Sequence, residues 1–445
     1  MAARVAVAVI GGGWAGLACA VELASAGCAV SLYESAKQLG GRARGVEVHG
    51  HALDNGQHLL IGAYRDTLDL LQRIGSRHLL QAAPLVLDTP PALRLALPRL
   101  PAPLHLAVGL LGARGPGLRD KIAAARFMQA LKARHYRLPR DTTVARLLDA
   151  HQQHGALRRY LWEPLCLAAL NTPAETASAQ VFANVLRDSL GGQRQATDML
   201  LPRTDLGRLL PQPAAEYLTQ HGGQVRLGCR IRGITSGSEG WQLTLEARQQ
   251  EEASNGKSSD SAPTFDAVVL ATAPQHATAL LPDAPALAGL RRQITALRYE
   301  PIATCYLGYP ETVTLPSPML GLAGPVGQWV FDRGPMDGQA GVLACVLSAH
   351  GPWEELPGDA LGLALHREIE AALGRPLPPP LWQQTIREAR ATFACLPDLE
   401  RPDNATPLPG LWLAGDYTAG DYPATLEGAV RSGLAAARGI LATQR

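Results

Sequence analysis

The sequence contains few lysines and has almost no net charge. Its only lysines are Lys37, Lys121, Lys132 and Lys257, so arginine supplies nearly all of the positive charge. The 41 basic and 39 acidic side chains leave a formal net charge of +2. A chain this close to neutrality gives no whole-protein case for binding nucleic acid, so we predict no nucleic-acid partner.

Closely spaced cysteine pairs and long apolar runs are also absent. The seven cysteines form no CxxC pair, and their odd number and wide scatter predict reduced thiols in a cytoplasmic protein without a metal site. No apolar run reaches the roughly 18 residues of a membrane-spanning helix. The chain has 445 residues and is 47% hydrophobic, which predicts a globular protein of two domains.

The clearest pattern present is a glycine motif between a strand and a helix. Residues 5–10 and 28–34 read as buried strands, and residues 14–26 read as the helix between them, which predicts a βαβ unit that binds a dinucleotide. The first glycine allows a tight turn, the second lets the backbone approach a pyrophosphate, and the third lets the helix pack on the strand. Glu34 is placed to accept hydrogen bonds from ribose hydroxyls. The motif residues expected at the phosphates are Gly11, Gly13, Trp14, Ala15 and Gly16.

A second glycine-containing segment follows at residues 39–44. Its glycines, Gly41 among them, have no side chain and let the backbone approach a ligand. Arg42 can bond two pyrophosphate oxygens at once. Arg44 has either a similar contact or a surface role. Further along, the pattern predicts helices at 66–75, 118–137, 143–170, 359–374 and 426–442, and strands at 224–234, 241–247 and 266–272.

The two ends of the chain together resemble the flavin amine oxidase and phytoene desaturase superfamily. The resemblance rests on the Gly-Gly-Arg segment after the βαβ unit, and on Gly415-Asp416 followed by Leu426-Glu-Gly-Ala. It implies an FAD cofactor held by both termini. It also implies that Gly415, Asp416, Thr425 and Leu426 contact the flavin side, and that Ile231 meets the adenine through its backbone.

The fold implied by this resemblance is α/β, with the two-domain architecture of the amine oxidases. A Rossmann-like FAD-binding domain is expected to comprise residues 1–80, 200–282 and 406–445. A discontinuous, mixed α+β substrate domain is expected at residues 81–199 and 283–405. The polar run at 248–264 predicts a mobile hairpin loop.

Three further segments, at residues 53–64, 161–173 and 329–333, resemble the hydroxysqualene dehydroxylases. The chain also has no lysine after Lys257, and it has Thr425 where amine oxidases commonly have a tyrosine, which argues against amine oxidation. The resemblance implies that reduced FAD replaces the allylic hydroxyl of hydroxysqualene by hydride, giving squalene and water. The sequence does not specify the electron donor that such a reaction requires.

That chemistry requires an acid and a dry pocket. Hydroxide is a poor leaving group, so its oxygen must be protonated as it departs, and the allylic cation must be kept from water. His58 is the candidate acid, or else a loop histidine that holds the flavin. Asp54 is a second candidate, or else a turn residue that bonds the backbone. Expected cofactor contacts in the same loop are Asn55, Gly56 and Gln57. Possible pocket groups, equally well explained as caps or salt bridges, are Asn171, Glu163, Asp332 and Arg390.

Residues 94–140 combine basic and apolar side chains. They include ten basic residues and one acidic residue, Asp120, with leucines interleaved in the first part. This suits peripheral docking on the anionic inner face of a bacterial inner membrane, where a long isoprenoid would reside. The alternative is a solvated helical face above a domain core.

Two other functions fit the same motifs. An oxidative carotenoid-type desaturase would use the same flavin geometry with the opposite direction of electron flow. A non-catalytic prenyl-lipid binding protein could keep the fold, but it need not keep Arg42, Asp416 or the start of the C-terminal helix.

Overall fold

The computed structural model describes residues 4–246 and 263–443. The hairpin loop predicted at 248–264 lies almost entirely outside these residues. Within the described part of the chain, no helix is both long and apolar enough to cross a membrane.

The predicted βαβ unit is confirmed, and it forms part of a five-stranded parallel sheet. The strand Ala6–Ile10 is central and almost completely buried, as its apolar, β-branched sequence requires. The sheet order is Gln224–Arg226, Ala29–Tyr33, Ala6–Ile10, Ala267–Leu270 and Leu411–Leu413. All three ranges predicted for the FAD-binding domain therefore contribute strands, while the boundaries of both domains stay predictions.

The first and last long helices pack against each other on this sheet. Helix Trp14–Ser25 follows the glycine motif, and helix Leu426–Thr443 ends the described chain. A side chain at Gly433 would lie 2.1 Å from the carbonyl oxygen of Ala15, so the two helices approach as closely as their backbones allow. The N-terminal and C-terminal helices therefore lie side by side in one layer on the parallel sheet.

A five-stranded antiparallel sheet carries two different faces. Alternate residues of its strands point to opposite sides. One face, with Cys345 and Leu347, packs under helix Gly358–Leu373. The other face, with Val346 and Ser348, borders the large cavity described below. The strand order is Met319–Gly321, Trp329–Asp332, Val342–Ser348, Tyr299–Gly308 and Trp382–Phe393.

Four smaller antiparallel sheets connect these parts. Their strands are Ile231–Gly237, Gly240–Leu245 and Thr264–Phe265; Gly45–Val48 and His51–Asp54; Leu60–Ile61, Met199–Pro202 and Leu80–Ala83; and Val86–Thr89 and Leu93–Ala96. The single strand predicted at 224–234 is wrong. A turn separates Gln224–Arg226, in the parallel sheet, from Ile231–Gly237, in a hairpin sheet.

The remaining helices include several that periodicity alone did not reveal. The helix predicted at 143–170 is interrupted, with a π-helical turn at Arg158–Trp162 just before Pro164, whose missing N–H leaves a carbonyl in the preceding turn without its helical partner. The other α-helices are Arg65–Arg73, Leu104–Gly112, Leu118–Ala133, Val144–Ala150, Gly155–Leu157, Glu163–Leu170, Ala179–Ser189, Leu206–Leu209, Pro211–Gln220, Pro274–Leu280, Ala288–Thr295 and Arg333–Asp337. Short 3₁₀ turns lie at Arg77–Leu79, Arg194–Thr197, Pro285–Leu287 and Pro352–Glu355.

Candidate active site

The glycine motif forms a tight cradle at the end of the central strand. Gly11 has a φ of +112°, and a Cβ there would lie 2.5 Å from the carbonyl oxygen of Ala271. A Cβ on Gly16 would lie 2.0 Å from the carbonyl oxygen of Gly11. At Gly13 no atom lies within 4 Å of an added Cβ, and this residue borders the cavity. The first and third glycines therefore serve the fold, whereas the second leaves room for a ligand.

Glu34 lies directly beside this cradle, at the end of strand Ala29–Tyr33. Its carboxylate accepts hydrogen bonds from the backbone N–H of Gly12, at 2.7 Å, and of Ala36, at 2.8 Å. These bonds fix an acidic side chain on the cavity wall next to the predicted pyrophosphate position. Such an arrangement fits the recognition of a ribose, which offers hydroxyl donors.

The segment 39–44 folds back over the glycine motif. Gly40 donates its N–H to the carbonyl of Gly12 at 2.8 Å, and the indole N–H of Trp14 reaches the carbonyl of Ala43 at 3.0 Å. Gly41 has a φ of +59° and borders the cavity with Arg42. The two glycine segments thus form one backbone surface around the same space.

Arg42 and Asp416, both predicted to contact the cofactor, contact each other. One terminal nitrogen of Arg42 lies 2.7 Å from both carboxylate oxygens of Asp416. Arg42 also donates to the carbonyl of Ala391. Both side chains of the pair border the cavity, but the guanidinium that the sequence assigned to pyrophosphate is engaged by protein groups.

The C-terminal helix begins at the cavity. Thr425 accepts the N–H of Gly428 through its hydroxyl oxygen at 3.0 Å, and Thr425, Leu426 and Ala429 border the cavity. Gly415 also borders it and donates its N–H to the Ser432 hydroxyl at 2.9 Å. The partial positive charge of a helix N-terminus therefore lies at the cavity wall.

Glu427, a residue that the sequence did not single out, fixes the direction of this helix. It is fully buried in the first turn, and its carboxylate accepts the backbone N–H groups of Asp66 and Thr67 and the Thr67 hydroxyl. Burial raises the pKa of this carboxyl, and the bonds from Thr67 oppose that rise. Glu427 thereby caps helix Arg65–Arg73 and ties it to the C-terminal helix.

The loop after strand His51–Asp54 brings His58 to the cavity. Its Nδ1 lies 2.6 Å from the carbonyl oxygen of Gly56, so Nδ1 carries the proton. Burial lowers the pKa of His58; the bond to Gly56 opposes the shift, and the charge of Arg42 adds to it. The lowered pKa favours the neutral ring near pH 7. The other residues of this loop that border the cavity are Asn55, Gly56 and Gln57.

Asp54 is placed differently from His58. It is 3% exposed, and its carboxylate accepts the N–H of Leu206 at 2.7 Å and a bond from Arg333 at 3.1 Å. Among the described residues that border the cavity, Asp54 does not appear. The structure thus corrects the prediction of Asp54 as a second candidate acid and favours the alternative, a residue that bonds the backbone: Asp54 is a buried anchor at the base of the loop.

Of the four predicted pocket groups, two border the cavity and two do not. Asn171 borders the cavity, but its amide bridges the Thr392 hydroxyl and the backbone N–H of Ala349. Arg390 borders it and stacks over the ring of Tyr299 at 5.6 Å. Two others have structural partners instead, since Glu163 pairs with Arg158 and Asp332 caps helix Arg333–Asp337.

The cavity has a volume of about 1470 Å³. Sites for a single drug-sized ligand measure roughly 300–1,000 Å³, so this space can hold a large cofactor together with a substrate. Ile231 borders it at the end near Glu34, together with Arg230 and Arg232. The aliphatic part of the wall includes Leu85, Leu87, Leu95, Leu97, Leu106, Leu110, Met128, Leu161, Leu165, Val185 and Leu190. The aromatic residues beside it are Tyr136, Tyr160, Trp162, Trp329 and Phe331.

The chain matches one protein family and several known proteins of similar sequence. The family described as flavin containing amine oxidoreductase matches residues 14–441. Hydroxysqualene dehydroxylase of Rhodopseudomonas palustris is 31% identical over 99% of both chains, and that of Sinorhizobium fredii is 29% identical over 97% of both. Zeta-carotene desaturase of Synechocystis sp. is 25% identical, over 98% of this chain and 97% of its own.

Solved structures agree on the fold. Putrescine oxidase superposes with a TM-score of 0.70 at 18% identity over 99% of both chains, and cyclohexylamine oxidase of Brevibacterium oxydans with 0.66 at 17% identity over the whole of both. The predicted amine-oxidase-like α/β fold is thereby confirmed, and the family match confirms the FAD cofactor and the oxidoreductase class. The chain belongs to the flavin-containing amine oxidoreductases and, among them, to the family of the hydroxysqualene dehydroxylases.

Proposed function

We propose that this protein reductively removes the hydroxyl group of hydroxysqualene. In this reaction the allylic C–O bond breaks, a hydride forms the new C–H bond, and a proton joins the departing oxygen, so the products are squalene and water. The observation that carries the proposal is the cavity, whose wall combines the two glycine segments with many aliphatic and aromatic side chains. The names of the relatives support the same substrate.

The residues present fit FAD. Gly13 leaves open space toward the cavity, Glu34 offers a fixed carboxylate for a ribose, and Thr425 caps helix Leu426–Thr443, whose first residue borders the cavity. We propose that these groups, with Gly41, Gly415, Asp416 and the backbone of Ile231, hold the cofactor. When bound and reduced, FAD supplies the hydride.

The apolar end of the cavity has two tasks in this reaction. Its aliphatic wall excludes water, which would otherwise capture a cation at the substrate carbon. Its aromatic faces, among them Tyr160, Trp329 and Phe331, stabilise positive charge in a dry site. Neither task requires a charged residue to contact the isoprenoid chain.

His58 is our candidate for the group that delivers the proton. Its Nδ1–H is committed to the Gly56 carbonyl, and Nε2 has no hydrogen-bond partner in the described part of the chain. Because the lowered pKa favours the neutral ring near pH 7, His58 must gain a proton at Nε2 before it can act as an acid. Asp54 holds the base of the loop and does not take part in this transfer.

We also propose that the protein docks on the anionic inner face of the bacterial inner membrane through residues 94–140. On helix Leu104–Gly112, Leu106 and Leu110 border the cavity, while the side chains of Leu104 and Leu111 are 56% and 65% exposed. The next helix begins with Leu118, which is 67% exposed. Uncovered leucines beside clustered basic residues fit an anionic lipid surface.

The cavity reaches the protein surface on this same side. On helix Leu118–Ala133, Ala125, Gln129 and Lys132 are exposed and also border the cavity. These residues lie four and three positions apart, so they form one row along the helix. An isoprenoid leaving the bilayer would therefore meet the apolar interior without crossing much water.

The test of the reaction is an anaerobic assay of the purified, dithionite-reduced protein with hydroxysqualene. Squalene is measured by mass, and flavin reoxidation is followed by absorbance. We expect squalene to form in step with reoxidation. Bound flavin without squalene would contradict the proposal, and the oxidised protein would then be assayed for the desaturation of saturated isoprenoids.

A second test uses a variant that changes only the cofactor end of the cavity and keeps its apolar wall. Gly13→Leu fills the space that Gly13 leaves open and should abolish both flavin binding and squalene formation, since the side chain enters the cavity. A wild-type preparation that binds hydroxysqualene but contains no flavin would instead favour a prenyl-lipid binding protein.

A further inference from the structure

Arg333 is a buried cation that the proposed reaction does not use. It is 2% exposed and begins helix Arg333–Asp337. One of its terminal nitrogens lies 2.6 Å from the side-chain oxygen of Gln57 and 3.1 Å from a carboxylate oxygen of Asp54. The other donates to Asp337. A single guanidinium therefore joins two positions, 54 where the loop starts and 57 within it, to helix Arg333–Asp337.

The same two loop positions are held by further bonds. The Tyr306 hydroxyl donates to the backbone carbonyl of Asp54 at 2.8 Å, and the backbone N–H of Gln57 donates to the Thr304 hydroxyl at 3.2 Å. The amide nitrogen of the Gln57 side chain donates to the carbonyl of His58 at 3.0 Å. Every one of these contacts lies at or next to an end of the segment 55–57, whose residues border the cavity.

The charge and shape of Arg333 suit this position. Two buried carboxylates, Asp54 and Asp337, face the one cation, and their side chains are 4% and 3% exposed. Removing the cation would leave both acids without a counter-charge in the interior. A planar guanidinium can bond in several directions at once, whereas a lysine ammonium at the same place cannot span Asp54, Gln57 and Asp337 together.

We infer that Arg333 is a positioning residue that fixes the loop 55–58 against the cavity, and with it the His58 ring. It acts through Gln57 and Asp54 and touches neither substrate nor cofactor. The inference rests on the proposed function only in placing the flavin beside this loop. A misplacement of about 1 Å at a reacting group costs on the order of 100-fold in rate. A residue that holds the loop in place therefore affects the rate although it touches neither substrate nor cofactor.

A purely structural role would be the alternative, in which Arg333 only neutralises Asp54 and Asp337. Two variants separate the roles. Arg333→Lys keeps the positive charge but loses the multiple bonds, and Gln57→Leu removes the bond from Arg333 to position 57 while leaving both ion pairs in place. The control is Glu368→Ala, which removes the carboxylate that accepts the N–H groups of Val326 and Gly327 on the opposite side of the antiparallel sheet.

The measurements are the visible absorption spectrum and midpoint potential of the bound flavin, the thermal midpoint, and kcat and KM with hydroxysqualene. We expect Arg333→Lys and Gln57→Leu to shift the flavin spectrum and potential and to lower kcat by on the order of 100-fold, with KM little changed. Glu368→Ala should lower the thermal midpoint and leave the flavin spectrum unchanged.

The inference is overturned if Gln57→Leu, with both ion pairs intact, leaves the flavin spectrum, its potential and kcat as in the wild type. It is also overturned if Arg333→Lys only lowers the thermal midpoint, as the control does. Should the wild type form no squalene, the proposed function fails, but the spectrum and potential of the bound flavin still decide the role of Arg333.

Discussion

Arg42 and Asp416 lie 374 positions apart in the sequence, yet their side chains form an ion pair in which one guanidinium nitrogen meets both carboxylate oxygens at 2.7 Å. Arg42 comes from the segment after the βαβ unit, and Asp416 from the turn that follows strand Leu411–Leu413. The pair thus closes the cavity wall between the two ends of the chain. It links the glycine-containing segment at residues 39–44 to Gly415-Asp416, and both segments border the cofactor end of the cavity.

Asp416→Asn should weaken FAD binding by about 10- to 100-fold. The amide keeps the size of the side chain but loses the charge, and a hydrogen bond to a charged group contributes about 1.5–3 kcal/mol. Fluorescence titration of the apoprotein with FAD measures the change. Arg73→Lys is the control, because its partner Glu22 lies in a surface pair away from the cavity. Equal FAD affinities for Asp416→Asn and the wild type would refute a role for this pair.

The glycine motif gives a paired prediction. Gly16→Ala should destabilise the apoprotein, since the new Cβ would lie 2.0 Å from a backbone oxygen of Gly11 that cannot easily move. Gly13→Ala should leave the apoprotein stable, because its Cβ meets nothing within 4 Å, but it should weaken FAD binding by narrowing the backbone approach. Thermal denaturation with and without FAD separates the two effects. A stable Gly16→Ala variant would show that the helix can shift away from the strand.

Local patterns predicted most of the cofactor end of the molecule. A buried strand, a glycine turn, a helix and an acid at position 34 form a unit whose contacts lie close in sequence, so periodicity and spacing identify it. The same reasoning failed at residues 224–234. There the continuous polar and apolar alternation gave no sign that two strands join different sheets.

The inner wall of the site could not be predicted in this way. The sequence leaves Asp54 open as either a second candidate acid or a residue that bonds the backbone, because its partner Arg333 is 279 positions away. Glu427 likewise accepts a hydrogen bond from Thr67, 360 positions away. Burial and long-range pairing decide whether a carboxylate meets substrate or holds a fold, and neither can be read from the neighbouring residues.

Activity should depend on pH through His58. Burial, together with Arg42 and Arg333 and despite the bond to Gly56, lowers the pKa of this group below its ordinary value of about 6.5. If His58 is the acid, kcat rises as the pH falls toward the lowered pKa, since only the protonated ring can donate. We expect His58→Ala to lower kcat by about 100-fold or more and to flatten the pH profile.

The same shift has a consequence for stability. A histidine whose pKa is lower in the folded state stabilises the fold above the unfolded pKa, and that stabilisation is lost as the pH falls through the folded value. The thermal midpoint of the apoprotein should therefore fall less steeply on acidification in His58→Ala than in the wild type. Parallel curves for the two proteins would contradict the lowered pKa.

The proposed membrane contact predicts a specific loss on removing exposed leucines. If Leu104, Leu111 and Leu118 enter the bilayer surface, replacing all three by serine should weaken binding to liposomes of anionic lipid on the order of 100-fold, at about 1 kcal/mol for each partly buried side chain. Co-sedimentation at low salt measures this, and added salt should weaken the binding of the wild type as well, because the basic residues contribute through screened charges. The control replaces Leu363 and Leu381, which are 49% and 71% exposed outside residues 94–140, and it should bind as the wild type does. The proposed membrane contact would be contradicted if the wild type stayed in the supernatant at low salt. It would also be contradicted if the triple variant bound as tightly as the control.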